Sequence, residues 1–194
     1  MPGPLHGIRI VDLTTVVSGP LATMMLADQG AEVIKIEHPK GGDFTRQVSN
    51  RSNGFSANFL NNNRNKKSVA ADLKTPEGLD LVKRLVATAD AVVQNFRPGA
   101  VERLGLGYED LKKVNPAIVY CSISGFGARG PYAERPVYDP LIQALSGLTT
   151  VQAGSDGERP RLVRTIVPDK VTGLTAAQAI TSALRDEMRR NPDV

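Results

Sequence analysis

Asp169 stands directly after Pro168, at the head of KVTGLTAAQAITSAL, a stretch patterned as a helix. A carboxylate in a first helical turn has an ordinary structural reading, because it complements the positive end of the helix dipole. The same physics supports a chemical reading. Amide N–H groups and a helix N-terminus keep a carboxylate ionised, and an ionised carboxylate in an enclosed site can act as a nucleophile. Gly173, Ala176, Ala177 and Ala179 give the following turns small side chains. Such a helix can pack closely on a sheet or on a partner chain.

Cationic side chains form a second candidate set: Lys40, Arg46, Arg64, Lys66, Lys67 and Lys74, then Arg97 and Arg103. For any single lysine a solvated surface is the ordinary reading. Arg97 and Arg103 flank the end of the apolar run DAVVQNF, and in open α/β sheets ligands bind outside the carboxyl ends of the strands. Arginine at such a place can pair with phosphate in a bidentate way. The segment GFGARG at 125–130 fits G-x-G-x-x-G and follows a strand-like run. Pro131 comes next, however, and no amphipathic stretch begins before Asp139. The helix N-terminus that a dinucleotide fingerprint requires is therefore missing, and the motif reads as a turn whose bare backbone admits close approach. His6 and His38 are the only histidines and Cys121 the only cysteine. That is too little for a metal cluster and gives little support to Ser-His-Asp chemistry, so no metal is expected.

The elements that must position these residues alternate between strand and helix. IRIVDL (8–13) reads as a buried strand, 20–29 as a helix opened by Pro20 and closed by Gly30, and AEVIKIE (31–37) as a second strand. This βαβ unit implies parallel pairing. Residues 38–67 are polar and rich in Gly and Asn, and SVAADL (68–73) reads as a third short strand. Thr75 and Pro76 open a helix over 76–88, with Leu79, Val82, Leu85 and Val86 at helical spacing. DAVVQNF (90–96) and AIVYCSIS (117–124) are further strands, with short helices near 99–104 and 108–114 between them. Asp139 is expected to cap a helix ending near Gly147, 152–163 to form a hairpin or excursion, and the last helix to run from Pro168 to Arg190. The class is α/β, with an open, mostly parallel, Rossmann-like sheet and flanking helices.

At 194 residues the chain can bury a substantial core as one domain. A single cysteine precludes an intrachain disulfide, which fits a cytoplasmic setting. The opening MPGPLHGIRIVDL lacks the pattern of a signal peptide, and no apolar run reaches membrane-spanning length. The net charge of +4 suits an anionic ligand, whereas 5% aromatic residues and no long basic stripe argue against nucleic acid.

Six segments in order carry a resemblance: 7–43, 63–78, 89–106 (ADAVVQNFRPGAVERLGL), 115–132 (NPAIVYCSISGFGARGPY), 138–148 (YDPLIQALSGL) and VPDKVTG at 167–173. Together they are similar to the class III CoA-transferases, the group that includes formyl-CoA transferases and carnitine CoA-transferases. The resemblance implies that residues 1–194 are the N-terminal part of a large domain, with the small domain and a returning C-terminal segment outside them. It implies a homodimer of interlocked chains, with acyl-CoA and a carboxylic acid as substrates; the composition adds the expectation of no nucleic acid or membrane partner. It also implies that Asp169 attacks the thioester to give an aspartyl-acyl anhydride and then an aspartyl-CoA thioester. The CoA contacts it implies are Val17, Ser18, His38 (where many members have arginine), Ala71, Asp72, Leu73, Lys74, Asn95, Phe96, Arg97 and Arg103, with Tyr138 and Asp139 bordering the site. Two other readings stand beside it. One is an acyl-CoA racemase of the same superfamily, whose histidine position is held here by Tyr138. The other is a non-catalytic CoA-binding or assembly subunit.

Overall fold

The computed structural model describes residues 2–48, 51–155 and 157–190. In chain order the elements are β1 (Arg9–Asp12), α1 (Ser18–Asp28), β2 (Glu32–Glu37), β3 (Arg51–Ser52), β4 (Phe55–Ser56), α2 (Ala57–Asn63), β5 (Lys66–Ala70) and α3 (Pro76–Val86). They continue with β6 (Ala91–Gln94), α4 (Ala100–Arg103), α5 (Tyr108–Val114), β7 (Val119–Ser122), α6 (Asp139–Leu145), α7 (Leu148–Val151) and α8 (Val167–Arg190). A 3-10 turn at Phe44–Arg46 follows β2.

Five strands form one sheet in the order β5-β2-β1-β6-β7, every neighbouring pair parallel. Alternation along the strands feeds two cores. Val11, Ile34 and Val92 point to one face, where Val82 and Val86 of α3, Val101 of α4 and Leu111 of α5 cover them. Ile10, Val33, Ala91 and Val93 point to the other, under Ala22 and Leu26 of α1 and Ala176, Ala177, Ile180 and Leu184 of α8. Both faces of the central strands β2, β1 and β6 are thus buried, which is why those strands read as largely apolar runs, whereas the edge strands β5 and β7 are partly exposed.

Local signals set most boundaries. The Thr75 hydroxyl accepts from Gly78 N at the start of α3, with Pro76 in the first turn. The polar stretch 38–67 holds more structure than its sequence suggests. It contains the 3-10 turn, the antiparallel pair β3–β4 and α2, which is capped by Ser56 accepting from Phe59 N. The third sheet strand begins at Lys66, two residues before SVAADL. Among the described residues 152–163 carry no strand, so that segment is an excursion and not a hairpin. No helix of the described residues is long and apolar enough to cross a membrane.

Candidate active site

The chain winds outward from β1 in both directions, so the loops after β1 and β6 part at the carboxyl edge and leave a crevice. Asn95 pins them together: its Oδ1 accepts from Thr15 N at 2.9 Å and its Nδ2 donates to Thr15 O at 2.7 Å. Val16, next in that loop, has φ of 70°, a left-handed conformation that is unusual for a β-branched residue. Its N–H donates to Asp43 Oδ1 at 3.4 Å. Strain of this kind persists where the surroundings enforce it, and here the enforcing groups are buried charges.

Beneath the loop, Asp12 is fully buried and receives Lys66 Nζ at 2.9 Å, together with the hydroxyls of Thr14 and Thr23. Burial alone would raise its carboxyl, but Lys66, Lys35 and the two hydroxyls hold it at about 2. Lys35 is equally buried, pairing Asp43 Oδ2 at 3.0 Å and donating to Thr14 O at 2.7 Å. Glu37 takes Arg46 in a fork at 2.8 and 2.7 Å and Ser68 Oγ at 2.6 Å, which overcomes its burial and also keeps it at about 2. Arg46 lies in addition over the Phe59 ring at 3.7 Å. These pairs correct part of the expected phosphate-facing set. Arg46 and Lys66, together with Arg64 on Asp28 and Lys67 on Glu32, are bound by the protein's own carboxylates.

Two adjoining clefts open above this floor, and Thr15 and Phe96 line both. The first, of about 240 Å³, has walls from Leu13, Ile36, Ala71, Leu73 and Leu104, with His38, Asp72 and Lys74 at its polar side. His38 Nε2 lies 3.9 Å from Asp72 Oδ2. The second, of about 280 Å³, gathers Val17, Ser18, Asn95, Arg97, Tyr138, Asp139 and Asp169. Of the expected site residues only Arg103 lines neither cleft; it is exposed on α4.

Asp169 is held from two sides. The first is the fit between α8 and α1. A Cβ on Gly173 would sit 2.9 Å from Ser18 O and from Leu21 Cδ2, so only glycine lets α8 approach α1 this closely. Asp169 is one helical turn before Gly173 and therefore comes down beside Ser18. The second is a clamp from α6. Asp139 does not cap its own helix, whose N-cap is Tyr138 without a side-chain bond. Instead its Oδ2 accepts from Asp169 N at 3.1 Å, so it caps α8 from outside. Its Oδ1 accepts from Gln143 Nε2 at 2.6 Å. The Gln143 amide also receives Val163 N at 2.9 Å and donates to Thr165 O at 3.1 Å, fixing the approach to α8.

The electrostatics of Asp169 differ from the sequence expectation. Burial, followed by the Asp139 carboxylate, raises its carboxyl above the ordinary value, and a hydrogen bond from Ser18 opposes them. The start of α8 therefore does not dominate, because the carboxylate that caps it lies close by. The glycine turn adjoins the same cleft through Ser124 and Gly125. No helix follows it before Asp139, in keeping with its reading as a turn. Phe126 packs against Tyr132 with ring centroids 5.6 Å apart.

Several contributors were not read from the sequence: Asp12, Lys35, Glu37, Asp43 and Gln143. A usable signal existed for three of them. Asp12, Lys35 and Glu37 interrupt otherwise apolar strands of a sheet covered on both faces, where a charge needs a buried partner. Asp43 and Gln143 carry no such mark, since each finds its role only through a tertiary contact.

Comparison with known proteins establishes the family. The family model described as CoA-transferase family III matches residues 5–192. The chain is 45% identical over 193 residues to the succinate–glutarate CoA-transferase of Agrobacterium fabrum, covering 96% of this chain and 48% of that protein. It is 47% identical to the succinyl-CoA:glutarate CoA-transferase of Mus musculus, covering 96% and 43%. A crystal structure of a CAIB/BAIF family protein from Brucella suis superposes with a TM-score of 0.91 at 42% identity, covering 98% of this chain and 51% of that one. The chain thus spans about half the length of the curated relatives it matches. With its doubly covered parallel sheet and a family match along nearly its whole length, the chain belongs to CoA-transferase family III.

Proposed function

We propose that this chain contributes to an enzyme that moves coenzyme A from an acyl-CoA thioester to a carboxylic acid, with Asp169 as the covalent relay. The observation that carries this reading is the position of Asp169 in a cleft with Ser18, Asn95 and Arg97, next to a second, largely apolar cleft. In this reading the apolar cleft takes the adenine end of CoA, with His38, Asp72 and Lys74 at its polar side. Arg97, beside the shared Phe96, pairs with a phosphate, and the pantetheine runs past Thr15 toward Asp169.

A carboxylate oxygen of Asp169 attacks the thioester carbonyl carbon. The C–S bond breaks, CoA leaves as thiolate, and an aspartyl-acyl anhydride remains. The thiolate returns to the aspartyl carbonyl, displaces the donor as a free carboxylate and leaves an aspartyl-CoA thioester. An acceptor carboxylate then attacks that carbonyl and expels the thiolate once more. The thiolate attacks the acceptor's acyl carbon and regenerates Asp169. A partly desolvated carboxylate suits this task, because it has lost hydration that would otherwise be stripped at each attack. Each tetrahedral intermediate needs donors for its oxyanion, and the backbone of the glycine turn and the Ser18 hydroxyl are the nearest candidates.

Incubation with an acyl-CoA and a second carboxylic acid tests the reading. Transfer predicts a new acyl-CoA that appears only when the acceptor is present. Loss of the α-proton to solvent without any acceptor would favour the racemase reading. Binding of CoA with neither reaction would favour the assembly role. A dimer, in which a second chain covers the exposed Leu141, Leu145, Val171 and Leu174, is part of the same proposal.

A further inference from the structure

Lys66 is among the cations whose type suits a phosphate, yet its side chain is 2% exposed and lines neither cleft. Its ammonium donates to Asp12 Oδ2, to the Pro20 carbonyl and to Asn63 Oδ1, each at 2.9 Å. An ammonium has three donors and no acceptor, so all of its donors are in use. The three acceptors belong to three elements, β1, α1 and α2.

The bond to Pro20 falls at the head of α1, whose N-cap, Val17, makes no side-chain bond. Ser18 opens that helix and hydrogen-bonds Asp169, and α8 rests on the Ser18 carbonyl through Gly173. Thr23 of α1 donates to the same Asp12 oxygen that receives Lys66. Lys66 and Asp12 together therefore hold the first turns of α1 to the sheet.

Stability does not explain the charge. The charged groups that face Lys66 are Asp12 of β1, Lys35 of β2 and Asp43 in the loop after β2, whereas α1 and α2 offer it a neutral carbonyl and a neutral amide. Burial, aided by Lys35, outweighs Asp12 and Asp43 and brings the lysine down to about 8, below its ordinary 10.5. A lysine whose folded value lies below its unfolded one opposes folding at neutral pH, and that opposition is relieved as pH rises past about 8. Loss of the proton leaves two donors for three acceptors, so one of the three elements is released although this group no longer opposes the fold.

We infer that Lys66 is a positioning residue for Asp169, its ammonium fixing the head of α1 and with it the Ser18 hydroxyl that bonds the carboxylate. The inference rests on the proposed covalent role of Asp169 and adds control of that role by a residue outside both clefts. Lys66 touches no substrate and takes no part in bond making.

The test follows the initial rate at which saturating acyl-CoA modifies Asp169, trapped as the hydroxamate, between about pH 7 and about pH 9.5. Ionisation of Asp169 can only raise this rate with pH, so a fall has to come from another group. The expected result is a fall of about tenfold or more centred near pH 8, with CoA affinity within about twofold and the urea midpoint undiminished. Lys66→Arg, charged throughout this range, abolishes the fall, whereas Lys66→Met is slow at every pH and shows no fall. The methionine variant decides where arginine does not fold. A rate that stays level or rises in the unaltered chain would overturn the inference, as would a fall that persists in either variant. Unfolding of the unaltered chain in step with the rate would reduce Lys66 to a structural role and overturn it too. Binding of acyl-CoA with no modification of Asp169 at any pH would instead sink the covalent reading, and the inference with it.

Discussion

Burial and the neighbouring Asp139 carboxylate both resist ionisation of Asp169, whereas the hydrogen bond from Ser18 assists it. The folded chain therefore holds this proton more tightly than the unfolded chain does. Below the ordinary carboxylate range the group is neutral in both states and costs nothing. As pH rises through the raised pKa, its charge opposes folding. Asp169→Asn removes that cost, so its Tm at neutral pH should rise. A thermal melt repeated well below the ordinary carboxylate range should show the gain disappear. A gain that persisted at acid pH would locate the effect elsewhere. Asp12 makes the opposite case, since its charge is supported by Lys66, Thr14 and Thr23. Asp12→Ala leaves Lys66 buried without its counter-ion and should cost about 3–5 kcal/mol in urea denaturation.

At the scale of elements, α8 depends on its fit to α1 and on the α6 clamp. Gly173→Ala sets the helix-propensity gain of alanine, about 1 kcal/mol, against a new contact at 2.9 Å with a backbone oxygen. The oxygen cannot rotate away, so the steric cost wins and a net loss of about 1–2 kcal/mol is expected. Chemical denaturation reads that loss, and the shift of α8 should also reduce reaction at Asp169. Gln143→Ala strands Val163 N and one Asp139 oxygen, and a loss of about 2 kcal/mol should follow in the same measurement. The elements themselves were largely legible beforehand. Thr75-Pro76 opens α3, and α8 spans Val167–Arg190 against an expected 168–190. The segment 38–67 was not legible. The Asn-rich α2 has weak intrinsic propensity and is held by its Ser56 cap and by Arg46 stacked on Phe59. The reversed role of Asp139 was hidden for a similar reason. Its sequence position is that of a cap for α6, and only the fold brings α8 within its reach.

For the molecule as a whole, the buried pairs link the sheet edge to the strained Val16 loop and set its response to acid. Asp12 and Glu37 are held at about 2, against ordinary values of 3.8 and 4.5. Their contribution, on the order of 2 kcal/mol each, is complete above the ordinary values and is lost as pH falls from about 4.5 toward 2. Circular dichroism during acid titration should show unfolding in that window, and the loop bearing Val16 should loosen with it. Thr15 of this loop lines both clefts, so ligand binding should shift the transition to lower pH. The central claim concerns the carboxylate at the head of α8, and trapping tests it most directly. The chain is incubated with an acyl-CoA, quenched with hydroxylamine, digested and analysed by mass spectrometry. The account predicts a hydroxamate on the peptide containing Asp169, and none in Asp169→Asn. Binding of the acyl-CoA with an unmodified Asp169, or a hydroxamate on a different side chain, would contradict it.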